Sequence, residues 1–433
     1  MRWWEAVEWI EDLLRYGATL ADEIEVYYAE SRGVSTELKR REVHIAGEAR
    51  SGGLGIRTIV KGKIGTSSTN NPEKWRECLL SALASGTLST AQSWNGLPGP
   101  ADIGSADLSY SPGLIPEPGI ARDLLSGMIE GAGHHPAEVT SGSASLSSGF
   151  EVLANGGGLR YERKSTAVSA SLEAISGQST GSEFGVSCAM DLDTAGIGEQ
   201  AAFFASHSVK GKEIDTGDYD IILSPLAFAE LLGSVIVPAL SGRSVHAGRS
   251  KLAESLGMPV LDAQISICDD PFSPRGLGST TWDGEGTPAA KLDLFREGVL
   301  TNFTYDLKTA YRYGKKTTAS AVRSGYGGAP SIGYHNLVVD GPRTGIMDEP
   351  AIFVKDVVGA HTANPMSGDF SVELSNPTWV EGGTWGDPVH KAMLSGNVFE
   401  MIRTIGGLGK DDRVIGSMIL PSIRLNKQHI TGK

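Results

Sequence analysis

Cysteine is scarce: three residues in 433, Cys78, Cys188 and Cys268, far apart and in no CxxC pair. That excludes a disulfide framework, and with no histidine at finger spacing it excludes a structural zinc site of the finger type. Basic residues are outnumbered, 38 Lys and Arg facing 51 Asp and Glu for a formal net charge of −13. Such a chain repels phosphate backbones instead of releasing their counterions, so no nucleic acid is expected as a direct partner. Long apolar runs are missing too. The most apolar late stretch, Leu231 to Leu240, is about half of the roughly 20 residues a bilayer requires. It carries Pro238 near its end and reads as a buried helix. The start, Met1-Arg2-Trp3-Trp4-Glu5, leads into acids where a signal peptide needs an uninterrupted apolar stretch. The expectation is a cytoplasmic protein with no membrane partner.

What is present is enough apolar residue, 40% of the chain, to build more than one core. Trp3, Val7, Ile10 and Leu14 recur at helical spacing between acids, predicting an opening amphipathic helix with Gly17 as its C-cap. Strand-like runs follow at Glu23 to Ala29, Ser35 to Val43 and Gly55 to Ser67, with Lys61-Gly62-Lys63 as turn chemistry, and then a helix from Pro72 to about Leu83. Residues 86 to 117 are rich in Ser, Gly, Pro and Asn and read as a connection. From Pro116 the order repeats weakly: a helix to Gly131, strands near Glu138 to Leu146, Phe150 to Leu153, Leu159 to Ile175 and Phe184 to Met190, and a helix from Ala195 to His207. A third region opens with the strand Asp220 to Leu223 and a helix through Leu240. Strands dominate after it, Leu292 to Phe295 and Val299 to Phe303 forming the clearest hairpin. The expected fold class is α+β, with N-terminal α/β units of antiparallel sheet and helices and a C-terminal β-rich curled sheet or barrel. The expected domains are 1–95, 110–212 and 217–433.

Motifs for chemistry are few. Gly177-Gln178-Ser179-Thr180-Gly181 matches the GxSxG nucleophile elbow, but no helix follows it, so a hairpin loop is the better assignment. Gly406-Gly407-Leu408-Gly409-Lys410 resembles the end of a P-loop, with Thr404 where the first glycine belongs and Asp411 after the lysine. It reads as a turn after a helix Val398 to Ile405. No two histidines stand one helical turn apart, as a zinc helix requires. Acid pairs at Asp269-Asp270 and in Asp283-Gly284-Glu285-Gly286 suit general acid/base work or calcium, and equally suit turns, with the structural role favoured.

These C-terminal residues carry a resemblance. Cys268-Asp269-Asp270-Pro271, Trp282-Asp283-Gly284-Glu285-Gly286-Thr287-Pro288 and Gly298-Val299-Leu300 resemble the "DD…DEGTP…GVL" signature of PmbA/TldD proteins. Tyr305-Asp306, Thr309-Ala310, Arg323, Pro330, Asn336, Ser367-Gly368-Asp369-Phe370-Ser371 and Leu394-Ser395-Gly396-Asn397 follow in the family's order. The resemblance implies an N-terminal α+β part and a C-terminal β-rich part, in proteins that pair into dimers enclosing a cavity. One branch, TldD, is a zinc peptidase whose HExxxH helix corresponds here to Pro225 to Leu240. Its first His, Glu and second His fall on Gly233, Ser234 and Pro238, and no cysteine follows Cys268 to serve as the late ligand of that branch.

None of those three side chains can hold zinc or activate its water. The resemblance therefore implies the other branch, PmbA or TldE: a subunit without catalytic or metal residues of its own, paired with a TldD-type zinc metalloprotease. The partner would supply the zinc, and this chain would complete a chamber for unfolded peptides. Asp283, Glu285, Arg323, Asn336, Ser367 and Asp369, drawn from the matching segments, are the expected polar lining of a peptide groove. Two alternatives stay open. One is a metallopeptidase or Ser179 hydrolase active on its own; the other is a homodimer that binds peptides without an enzyme attached.

Overall fold

The computed structural model describes residues 5–39, 42–104, 107–274 and 276–432. Trp3 of the opening apolar stripe and the side chain of Val7 lie outside that description. The chain starts with α1 (Glu5–Gly17), β1 (Glu23–Lys39), β2 (Glu42–Val60), β3 (Lys63–Thr69) and α2 (Trp75–Thr87). After a stretch without helix or strand come α3 (Pro118–Ala132), β4 (Glu138–Asn155), β5 (Arg160–Ser176), β6 (Ser179–Ser187) and α4 (Thr194–His207). The order helix, three strands, helix thus occurs twice. Both sets of strands join one antiparallel sheet, in the order β3-β2-β1-β4-β5-β6, so the first strand of each set meets its counterpart at the centre.

The strands are longer than the sequence pattern indicated. Apolar runs are interrupted by Ser and Gly, as at Ser147-Ser148-Gly149, yet β4 continues through them because its backbone is paired on both sides. Pairing of N–H and C=O groups, not side-chain propensity, carries a central strand across such a gap. Two turns follow the sequence, whereas the run Ser35 to Val43, expected as one strand, divides between the end of β1 at Lys39 and the start of β2 at Glu42. Lys61 and Gly62 both have positive φ, 51° and 74°, as a two-residue hairpin of β2 and β3 requires. Ser176 and Ser179 pair across Gly177-Gln178, which makes the GxSxG stretch a β5–β6 hairpin.

Side chains alternate across the sheet, so β1 serves two cores. Ile24, Val26 and Tyr28 pack with Ile10, Leu13, Trp75 and Leu79 of the helices. Tyr27, on the opposite face, packs with Leu153, Tyr161 and Trp282, the last from the C-terminal part. Helices α3 and α4 cover the other half of the sheet and approach closely. A Cβ on Gly198 would lie 1.8 Å from the Met128 carbonyl oxygen, and one on Gly131 would lie 1.9 Å from that of Ala195.

The C-terminal part is β-rich, with a curled nine-stranded sheet and a six-stranded one beside it. In the larger, β7 (Gly217–Leu223) runs parallel to Ala351–Val354 and antiparallel to Ile423–Thr431. The smaller contains Ser266–Asp269, Leu292–Arg296 and Leu337–Asp340. Leu231, Leu232, Val235, Ile236 and Ala239 of the helix after β7 share one core with Ile221 and Ile423 of the larger sheet and Ile267 and Leu337 of the smaller. Glu297 and Gly298 turn the expected hairpin with φ of 48° and 77°. The helix expected over Val398 to Ile405 ends at Met401. Ile405–Leu408 is a strand instead, because Ile405 and Leu408 find partners in Leu425 and Ile423. No helix among the described residues is long and apolar enough to cross a membrane.

Candidate functional site

The helix after β7 is capped by the Ser224 hydroxyl, which accepts from the Ala227 N–H at 3.2 Å, with Pro225 in its first turn. It widens at Leu232–Ile236 into a π-turn, in which the Val237 N–H donates to the Leu232 carbonyl, and tightens again over Val237–Leu240. Pro238 has no N–H to continue the regular ladder, which accounts for the irregularity. The turn has a geometric consequence. On a regular α-helix, residues three or four apart share a face and residues five apart do not. A turn that spans an extra residue shifts this by one, and Gly233, Ser234 and Pro238 are all half-buried beside the buried Leu232, Val235 and Ile236. The three positions that the resemblance sets against HExxxH thus lie on and just after a widened turn, and none is a His, Cys, Asp or Glu. Among the described residues, no group of three or more His, Cys, Asp or Glu is placed to hold a metal ion.

Where the N-terminal sheet meets the C-terminal part, a buried ionic cluster forms. Glu25 and Arg57 are partners on β1 and β2, and Arg57 Nη2 donates to Glu25 Oε2 at 2.7 Å. Arg57 Nη1 donates to Glu285, and Arg323 donates to the other oxygen of Glu25 and, through Nε, to the Gly284 carbonyl. Glu285 Oε2 also accepts the Leu307 N–H at 2.7 Å. Asp283 closes the turn beside it, accepting the N–H groups of Glu285 and Thr287, both at 2.9 Å, and of Ala321 at 3.2 Å. Burial pushes the Asp283 carboxyl up despite those donors. Burial likewise takes Glu285 up to about 7; Arg57 opposes this, while Asp283 and Asp306 add to it. Arg57 is held protonated because Glu25 and Glu285 outweigh its loss of water. Glu285 and Arg323 thus join Glu25 and Arg57 in a clasp between the N-terminal sheet and the C-terminal part, with Asp283 holding the turn that carries Glu285.

The other expected groove residues lie elsewhere. Asn336 is fully buried, donating to the Asp270 carbonyl at 2.8 Å and to Ser279 Oγ at 3.0 Å. Beside it, Asp269 accepts the backbone N–H groups of His335 and Asn336 at 2.8 and 2.9 Å and contacts His335 Nδ1 at 3.0 Å. Ser367 and Asp369 form a separate exposed turn: Ser367 Oγ donates to Asp369 at 2.7 Å, and Asn397 Nδ2 bridges the Ser367 carbonyl and Asp369, both at 2.8 Å. The Ser367 hydroxyl first, then the Asn397 amide, hold the Asp369 carboxyl below its usual range. The six candidates therefore fall into a clasp, a buried strand-end network and a surface turn. No hydrogen bond joins Ser179 to a histidine among the described residues.

Sequence reasoning passed over Glu25, Arg57, Glu183, Lys355 and Arg413. The signal was present at two of them. Glu25 stands inside the buried run Ile24 to Tyr28, on the face it shares with Tyr27, and Lys355 follows the all-apolar strand Ala351–Val354. A lone charge there is buried, and a buried charge has a partner. The distant partners were not legible: Lys355 and Arg413 both bind the carboxylate of Glu183, separated from it by 172 and 230 positions.

Three domain families match in order: the PmbA/TldA metallopeptidase domain 1 over residues 24–86, its central domain over 116–209 and its C-terminal domain over 216–432. The chain is 30% identical to an uncharacterized protein of Methanocaldococcus jannaschii, covering 96% of this chain and 98% of that one. It is 24% identical to the metalloprotease PmbA of Escherichia coli O157:H7, covering 97% and 96%. Its fold is similar to the crystal structure of TldE from Thermococcus kodakarensis, with a TM-score of 0.90 at 26% identity, covering 98% of this chain and all of that one.

Proposed function

We propose, on the premise that this chain belongs to the PmbA/TldD metallopeptidase family, that it is the non-catalytic partner of a TldD-type zinc metalloprotease. In this reading it completes a chamber in which unfolded peptides are held and cut, and the zinc belongs to the partner. The observation that carries the reading is the helix face of Gly233, Ser234 and Pro238, which keeps a wide turn but offers no imidazole, carboxylate or thiolate. Hydrolytic zinc takes three protein ligands and leaves a position for water, and hydrogen, one hydroxyl and a pyrrolidine ring cannot supply them. The fold likeness to TldE supports the same branch.

The clasp of Glu25, Arg57, Glu285 and Arg323 fits this role as a support that keeps the two parts of the chain in one orientation. An extended peptide would be held by backbone hydrogen bonds to a strand edge, a mode that demands little of the peptide's sequence. The exposed turn of Ser367 and Asp369 is the part of the expected lining free to meet it.

The test is co-expression with a TldD-type metalloprotease of the same organism. The expected outcome is a stable complex whose chelator-sensitive cleavage of a denatured peptide requires both chains. Failure to co-purify, with the metalloprotease equally active alone, would exclude the partner role.

A further inference from the structure

At the other end of the same helix, where α4 and β6 meet the C-terminal part, lies a cavity of about 640 Å³ that the partner role does not use. Its size falls within the range of small-molecule sites, about 300–1,000 Å³. One wall is aromatic. Phe353 and Trp385 meet edge to face with centroids 5.0 Å apart, Phe204 and Trp385 likewise at 5.7 Å, and Phe204 and Phe353 lie parallel at 6.2 Å. Ile222 and Ile346 extend the apolar lining.

The inner polar wall is cationic. Lys355 and Arg413 both bind the single carboxylate of Glu183, and Lys355 and Glu183 are 6% and 7% exposed. Lys355 Nζ also sits 5.2 Å from the centre of the Phe204 ring, so the aromatic wall already faces a cation. Arg413 makes its bonds to Glu183 and to the Phe184 carbonyl through Nη2 alone, leaving Nε–H and Nη1–H without a protein partner among the described residues. At the rim, both oxygens of Asp411 accept from the Ser422 N–H at 3.0 Å and hydroxyl at 2.6 Å, and Asp348 and Lys410, both exposed, belong to the same lining. An amine would find the inner wall's one carboxylate, Glu183, already held by two cations. A neutral apolar molecule would leave the guanidinium donors unused.

We propose that this cavity binds a molecule with an aromatic body and one carboxylate, the body against Phe204, Phe353 and Trp385 and the carboxylate on the free N–H groups of Arg413. Two sources share that chemistry, the C-terminal aromatic residue of a peptide and a free aromatic acid. The site does not depend on the partner-subunit role, since every wall comes from this chain.

Calorimetry on the full-length chain tests it with three probes: N-acetyl-glycyl-phenylalanine, its C-terminal amide and 3-phenylpropionate. Both acids are expected to bind, and the amide at least about tenfold more weakly than the acid, the range for a lost charge-assisted hydrogen bond. Tighter binding of the dipeptide assigns the site to peptide C-termini, and tighter binding of phenylpropionate to a free acid. Trp385→Ala, at a half-exposed ring, should weaken both acids about tenfold, as loss of an aromatic contact does. Arg413→Lys keeps a cation for Glu183 and should remove the preference for acid over amide. Equal binding of acid and amide, no binding of either by a folded chain, or an unchanged Kd in Trp385→Ala overturns the proposal.

Discussion

Arg57 and Glu25 stand directly opposite each other on β2 and β1, joined at 2.7 Å, and both are almost wholly enclosed. The pair is more than a cross-strand contact. Arg57 reaches onward to Glu285 and Glu25 receives Arg323, so each member of a pair in the N-terminal sheet holds one charge from the C-terminal part. Neither charge could be buried alone at tolerable cost, and the fourfold arrangement leaves every one of them with a partner.

Removing the central guanidinium should therefore be severe. Arg57→Met leaves Glu25 and Glu285 enclosed with reduced compensation and is expected to cost about 3–5 kcal/mol, the range for breaking a buried ion pair. Urea denaturation measures it, and a loss below about 1 kcal/mol would show that the clasp does not hold the two parts together.

The pH dependence has a definite sign. Burial first, then Asp283 and Asp306 against Arg57, put the folded Glu285 carboxyl at about 7, above its ordinary 4.5. Between those values the folded state retains a proton that the unfolded chain has released. Stability from this group is full below about pH 4.5 and is lost as pH rises through 7, at up to about 1.4 kcal/mol per pH unit. Glu285→Gln is expected to be less stable overall but to lose this slope. Denaturation midpoints at intervals from pH 5 to 8 for both proteins decide it; parallel curves refute the assignment.

Metal removal should do nothing to this chain alone. With no ligand set on the helix face, prolonged dialysis against a chelator is expected to leave the melting temperature unchanged, whereas a bound ion stabilises the folded state by mass action. A drop of several degrees, restored by zinc, would reveal a site formed by residues distant in sequence.

The contact of α3 and α4 depends on two positions without side chains. Gly198→Ala places a methyl 1.8 Å from the Met128 carbonyl oxygen, so the helices must separate. The expected loss is about 1–3 kcal/mol, as for overpacking elsewhere. Gly119→Ala, in the same helix pair with open space around the added atom, serves as the control and should be neutral or slightly stabilising. Similar melting curves for the two variants would count against the close approach.

Much of this was legible in the residues themselves. The turns at Lys61-Gly62 and Glu297-Gly298 were readable because a positive φ demands particular residues locally. Trp282 to Pro288 was readable as a turn for the same reason, and its place in an ordered series of fragments pointed to the family. The helix ending at Met401 was misjudged because the choice between helix and strand for Ile405–Leu408 is made by Ile423–Thr431, which lies downstream and pairs with it. Asp283 and Glu285 were drawn as groove lining from the resemblance; their partners Ala321 and Arg57 come from other elements, so these contacts could not be read from spacing.

By itself the sequence determined which residues can turn, which faces are apolar, and that Gly233, Ser234 and Pro238 offer no ligand to a metal. Only the tertiary structure decided that two helix-and-strand sets share one sheet, that Glu25, Arg57, Glu285 and Arg323 meet, and that Phe204, Phe353 and Trp385 enclose a cavity beside Arg413. The reason is range. A dihedral preference or a missing imidazole belongs to one residue, whereas a buried charge is tolerated only where the fold delivers its counter-charge, here from up to 298 positions away.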